Sequence, residues 1–117
     1  MHHLFQQNDV HLSCGDFAGV LRYARKGDFV YMDPPYWSPH APIHYGSNAF
    51  TYDDQLRVST VFKTLARRGC HVMLSNSNSP DIRKLYKGFT IRKIAVHRSA
   101  HQTTATKIDH EIIVTNY

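Results

Sequence analysis

Phe29-Val30-Tyr31-Met32 is an unbroken apolar run, and it stops dead at Asp33-Pro34-Pro35. A run of this kind predicts a strand buried on both faces, as in a parallel sheet. Neither proline has a backbone N–H to give to a ladder, so pairing must end there. A carboxylate is thereby fixed at the C-terminal mouth of a buried strand. Cys70 to Leu74 reads as a second strand of the same type, ending in a polar turn, Ser75-Asn76-Ser77-Asn78-Ser79.

Helical patterns separate these strands. Phe17, Val20, Leu21 and Ala24 follow the spacing of an apolar helix face, with Asp16 as a cap and Gly27 as a stop. Val58, Val61, Phe62 and Leu65 form a second stripe, in a helix that starts at Thr51 or Asp53 and ends at Gly69. Ser79-Pro80 opens a third, short helix running to about Lys87, with Gly88 after it. Val10, Leu12 and Cys14 alternate as a short strand before the first helix. Phe89 to His97 and Ile108 to Val114 read as two closing strands, antiparallel to each other. The slipped alternation between Ile91 and Ile94 suggests a bulge.

Strands alternating with helices predict an α/β fold, a mostly parallel sheet with a C-terminal antiparallel pair. The 117 residues suit at most one domain, spanning 1–117. In open α/β sheets, ligands bind beyond the carboxyl ends of the strands. Gly15-Asp16, Asp33-Pro34-Pro35-Tyr36 and Ser75-Asn76 all fall at predicted strand ends. The chain between Tyr36 and Phe50 reads as one long loop, of a length often reserved for function.

Composition narrows the classes. A hydrophobic content of 42% supports a packed core rather than disorder. No apolar run approaches the roughly 20 residues of a membrane span. The first residues lack a basic, then apolar leader, so a cytoplasmic chain is the default expectation. The nine histidines are scattered, with no metal-binding frame, and no metal is expected. Cys14 and Cys70 read as buried free thiols. A net charge of +5, with clusters at Arg22-Arg25-Lys26, Arg67-Arg68, Arg83-Lys84-Lys87 and Arg92-Lys93-Arg98, favours a polyanionic partner. An ordinary basic surface would carry the same charge.

Gly15-Asp16-Phe17 followed by Gly27-Asp28-Phe29-Val30-Tyr31-Met32-Asp33-Pro34-Pro35-Tyr36 resembles the Dam-type (D12 class) DNA adenine N6-methyltransferases. Phe50-Thr51, Asp54-Gln55, Arg68-Gly69, Leu74-Ser75-Asn76-Ser77, Arg98-Ser99 and Glu111-Ile112-Ile113-Val114-Thr115-Asn116-Tyr117 agree in order. The resemblance implies methyl transfer from S-adenosylmethionine to the exocyclic amine of a flipped adenine in double-stranded DNA. It implies catalytic roles for Asp33, Pro34, Pro35 and Tyr36. The Asp33 carboxylate and Pro34 carbonyl would accept from the amine, and Tyr36 would stack on the base. Asp16, Phe17 and Asp33 would contact the cofactor, and Tyr36, Asn76 and Arg98 the substrate. Asp16 is equally a helix cap, Asn76 a turn residue, and Arg98 a solvent or phosphate contact. Tyr45, Phe50 and Tyr52 either approach DNA or pack the loop.

The resemblance also implies what this sequence lacks: the Phe-x-Gly-x-Gly cofactor loop, the DNA-reading domain and the central first strand of a Rossmann-like sheet. A truncated or split enzyme with little activity alone is the leading expectation, with a missing N-terminal half as partner. The alternatives are a non-catalytic remnant that binds nucleic acid or another chain, and an amino-methyltransferase acting on cytosine N4, RNA or a protein amide. Asp33, rather than Ser or Asn, before Pro-Pro-Tyr favours adenine.

Overall fold

The computed structural model describes residues 17–37, 50–99 and 106–117; the side chains of 97–99 and 106–109 are outside this description. The strand expected at Val10–Cys14, the cap Asp16, Cys14 and most of the 36–50 loop lie outside the described residues. What is described is a mixed α/β unit. A 3-10 helix, Phe17–Arg22, leads to β1, Phe29–Met32. Helix α1, Tyr52–Arg68, and β2, His71–Ser77, follow. A short α2, Pro80–Leu85, then precedes β3, Thr90–Ser99, and β4, Thr106–Thr115.

Local chemistry sets the bounds of α1. Thr51 caps it with an extended backbone, and its hydroxyl accepts from the Asp54 N–H at 3.3 Å. Asp54 returns the favour, accepting from the Thr51 N–H at 2.9 Å, so two otherwise orphaned donors are satisfied. Asp53 and Asp54 lie at the positive end of the helix dipole, and Arg67 and Arg68 at the negative end. Gly69 ends the helix with φ 97°, a left-handed conformation that glycine adopts without penalty. Arg68 then ties the neighbouring segment down: its Nη1 donates to the Leu21 and Ala24 carbonyls at 2.6 and 2.8 Å.

The four strands lie in the order β1-β2-β4-β3. β1 and β2 are parallel, with Phe29 opposite His71 and Met32 opposite Leu74. β4 inserts between β2 and β3 and is antiparallel to both. The expected closing pair is therefore present, but parallel pairing does not dominate among the described strands. Asn116 prolongs the β2–β4 seam with its side chain, accepting from Val72 N–H and donating to Cys70 C=O, both at 2.8 Å.

Strand pleating divides the sheet into two unlike faces. Val72, Leu74, Ile112 and Val114, all fully buried, pack with Val58, Phe62 and Leu65 of α1 and with Ile82 and Tyr86. Phe62 meets Tyr86 and Phe89 edge-on, at ring separations of 5.1 and 4.9 Å. The opposite face is open along β1 and the chain end, where Phe29, Tyr31 and Tyr117 are 59%, 52% and 54% exposed, while Ser75, Glu111 and Thr115 on that face are buried. This corrects the expectation that β1 is buried on both sides, because no described element covers Phe29 and Tyr31.

Three further expectations are revised. β2 continues through Ser75-Asn76-Ser77 instead of turning, because β4 supplies ladder partners from Ile113 to Glu111. No bulge interrupts β3, whose pairing with β4 is continuous from Thr90 to Ser99; Ile94 simply remains exposed on an edge strand. Helix α2 stops at Leu85, short of Lys87. Its start is as expected, with the Ser79 hydroxyl accepting from Ile82 N–H. Cys70 is a buried free thiol, and burial, then the Asp28 charge, push its ionisation up.

Tyr86 carries a buried hydroxyl with no hydrogen-bond partner among the described residues. Burial alone raises its ionisation well above the usual phenol range. Removing an orphaned buried hydroxyl relieves its desolvation, a gain on the order of 1 kcal/mol. Tyr86→Phe should therefore raise the urea midpoint at unchanged slope. A lowered midpoint would mean that the hydroxyl has a partner beyond these residues.

Candidate active site

The open sheet face and the carboxyl ends of β1 and β2 meet at Asp33. Pleating places Tyr31 and Asp33 on the side away from α1, together with Ser75 of β2 and Glu111 of β4. Asp33 is solvent-exposed and follows β1 directly. Its Oδ1 accepts from the Ser75 hydroxyl at 2.9 Å. Its Oδ2 and the Pro34 carbonyl accept no hydrogen bond among the described residues. Two acceptors on adjacent residues are thus available on a backbone stiffened by proline.

Tyr36 is half-buried, and its hydroxyl donates to Glu111 Oε1. Burial first, and then the Glu111 hydrogen bond, push the phenol up to about 12. A raised value favours the protonated form, which is present at all lower pH and lost only as pH climbs through that value. Tyr36 therefore remains a donor at any physiological pH.

The other side of the turn is strapped to α1. Gln55 Nε2 donates to the Pro35 carbonyl at 2.7 Å. Asn76 Nδ2 donates to Gln55 Oε1 at 3.0 Å, and Asn76 Oδ1 accepts from the backbone N–H groups of Trp37 at 3.2 Å and Ser77 at 2.7 Å. The Ser77 hydroxyl holds the Trp37 carbonyl at 2.6 Å, and the Trp37 indole donates to Asp81 at 3.2 Å. The Trp37 ring also lies 5.2 Å from that of Tyr52. Gln55 and Asn76 are 1% and 0% exposed, so the centre of this network is buried, with Pro35, Trp37, Ser77 and Asp81 at its margin.

Of the residues singled out in the sequence, Asp33, Pro34, Pro35 and Tyr36 form one turn, and Ser75 and Asn76 sit beside it on opposite faces of β2. Asn76 faces α1, with its amide spent on protein groups. Phe17 packs at 6.2 Å from Phe50, with the Arg57 guanidinium 5.0 Å from its ring centre; Phe50 and Tyr52 thus both make packing contacts. Asp16, Tyr45 and the Arg98 side chain lie outside the described residues. Gln55, Ser75 and Glu111 carry parts of the site for which the sequence reading had assigned no role. A charged residue opening the apolar run Ile112-Ile113-Val114 was the available signal for Glu111.

The described residues contain no cluster of three or more metal-ligating side chains, and none of their helices is long and apolar enough to cross a membrane.

An Asp-Pro-Pro-Tyr segment thus stands at the end of a strand in a mixed α/β sheet, and sequence comparison supplies the family. Residues 1–100 match the profile of the D12 class N6 adenine-specific DNA methyltransferases. The chain belongs to this family. It is 44% identical to a Type II methyltransferase of Lactococcus lactis subsp. cremoris over 94% of its own length and 40% of the relative's. It is 35% identical to a Type II methyltransferase of Methanocaldococcus jannaschii, over 93% of its length and 40% of the relative's. It is 32% identical to the DNA N-6-adenine-methyltransferase of Escherichia phage P1, over 86% of its length and 14% of the relative's. The chain thus spans about two fifths of the first two relatives, and less of the third.

Proposed function

We propose that this chain is the C-terminal part of an S-adenosylmethionine-dependent enzyme that methylates adenine N6 in DNA. The observation that carries the reading is the pair of available acceptors, Asp33 Oδ2 and the Pro34 carbonyl, at the exposed end of β1. An aryl amine is a poor nucleophile because its lone pair is delocalised into the ring. Two acceptors holding its hydrogens draw the nitrogen toward tetrahedral geometry and free the lone pair. The residues present fit that amine.

They fit the cofactor in part: Phe17 and Asp33 are available, and Asp16 is proposed to complete the contact. When bound, S-adenosylmethionine supplies an electrophilic methyl group. The chain's own contribution is to orient the amine and hold its hydrogens, and orientation of this kind can account for much of a rate enhancement. Adenine N6 is inaccessible to such chemistry inside a duplex, so the base must be flipped out. Tyr36, tethered by Glu111, is proposed to stack on it, and Arg98 to touch DNA phosphate. Asn76 is proposed to serve the substrate from behind, by fixing the turn.

A single, incomplete Rossmann-like domain fits the open face of Phe29 and Tyr31 and the edge of β1 that has no described partner. An N-terminal half carrying the glycine-rich cofactor loop and the DNA-reading domain would pair with this edge. Calorimetry with S-adenosylmethionine tests this. Binding should be weak or absent with the chain alone and appear when the upstream half is added. Tight binding by the chain alone, or none by the mixture, would contradict it.

Tyr36 gives a graded test. Base stacking on an aromatic ring contributes about 1–3 kcal/mol, so Tyr36→Ala should lower kcat/KM on DNA by roughly 5- to 150-fold. Tyr36→Phe keeps the ring while losing the hydroxyl and its Glu111 tether, and should cost far less. Equal losses in the two variants would exclude stacking as the ring's role.

A further inference from the structure

We infer that Ser75, locked by Tyr31, is the positioning residue that sets the Asp33 carboxylate for the amine. This rests on the proposed methyl transfer and adds the element that orients its acceptor. Ser75 lies in β2 and is 3% exposed. Its hydroxyl donates to Asp33 Oδ1 at 2.9 Å, and the same oxygen lies 2.9 Å from the Tyr31 hydroxyl. A serine hydroxyl has one hydrogen. That hydrogen is committed to the carboxylate, so Tyr31 must be the donor in the second bond. With the hydrogen given to the carboxylate the order runs Tyr31 to Ser75 to Asp33, and turning that hydrogen elsewhere would forfeit the bond to Asp33.

The consequence falls on the carboxylate. The terminal torsion of an aspartate is broad and nearly two-fold, so a free carboxylate samples a wide range of orientations. Anchoring Oδ1 narrows that freedom and leaves Oδ2 as the oxygen with no partner among the described residues. Strand pairing makes the arrangement rigid: Tyr31 is registered to Met73 and Met32 to Leu74, which brings the end of β1 beside Ser75. Tyr31 and Ser75 thereby gain a role distinct from stacking and from cofactor contact.

The test uses the chain completed by its proposed N-terminal half, with turnover measured on duplex DNA. Ser75→Ala should lower kcat by roughly 10- to 100-fold, the scale expected when a reacting group is slightly misplaced. The KM values for DNA and cofactor should stay near wild type. Ser75→Thr keeps the hydroxyl and should restore most of the rate. Tyr31→Phe should show a smaller kcat loss, and none further in the Ser75→Ala background. Wild-type kcat in Ser75→Ala, or a loss that appears in KM and is not rescued by Thr, overturns the inference while methyl transfer stands. A completed wild-type protein that leaves adenine unmethylated overturns the functional reading itself, and this inference with it.

Discussion

Asp33→Ala should abolish methyl transfer in the proposed completed enzyme, with kcat falling by at least about a thousandfold. The size of this effect follows from what the substitution removes. In the proposed mechanism Asp33 Oδ2 and the Pro34 carbonyl are the two acceptors that reshape the amine, and the neighbouring residues only hold them. Loss of a single preorganised electrostatic contact costs about 100- to 1000-fold in well-studied enzymes. Here the lost group also activates the nucleophile, so the upper end of that range is the floor. Because Asp33 is exposed, the variant should fold as well as wild type, and the melting temperature should hold within about 2 °C. Asp33→Asn is informative beside it. It keeps one acceptor oxygen, but its amide can present a donor to a hydrogen-bearing amine, so most activity should still be lost. Full activity in either variant would remove Asp33 from the chemistry.

Asn76→Ala has the largest expected effect on stability. The substitution would orphan the buried Gln55 Oε1 and the part-buried backbone N–H groups of Trp37 and Ser77. Each buried group left unpaired costs about 1–3 kcal/mol, and partial relaxation brings the sum to roughly 2–5 kcal/mol. Chemical denaturation of the chain should reveal it as a lower midpoint, and turnover in the completed enzyme should fall as the turn loosens. If Asn76 instead met only the substrate, the variant would lose activity at unchanged stability. The two roles are therefore separable by one pair of measurements.

Much of this was legible in the sequence where the determinants are local. The caps at Thr51 and Ser79 and the stop at Gly69 each depend on a few neighbouring residues, and each was found near its predicted place. The buried-strand signal of Phe29–Met32 located Asp33 correctly, because two prolines leave the ladder nowhere to go. The failures share a non-local cause. Ser75-Asn76-Ser77 looks like a turn because its residues are polar, yet β4, more than 30 residues away, draws it into the sheet. The exposed rings of Phe29 and Tyr31 read as buried because an apolar strand carries no mark of which face is covered. The irregular spacing of Ile91 and Ile94 looked like a bulge, but an edge strand tolerates an exposed isoleucine without one.

The candidate site followed the same division. Asp33-Pro34-Pro35-Tyr36 is contiguous and was identifiable as a unit. Gln55, Ser75 and Glu111 join it only through folding, from a helix and two other strands. Their places depend on pleat parity: within β2, Ser75 points to the Asp33 side and Asn76, one residue on, to the helix. Parity can be read only once the strand is known to continue past Leu74, and the sequence hides that continuation.

The most direct test of the account is nucleoside analysis by mass spectrometry. Duplex DNA is incubated with S-adenosylmethionine and this chain joined to its N-terminal half, then digested to nucleosides. N6-methyladenine should accumulate with the wild-type sequence and vanish with Asp33→Ala. N4-methylcytosine as the product, or N6-methyladenine formed equally by the Asp33 variant, would contradict it.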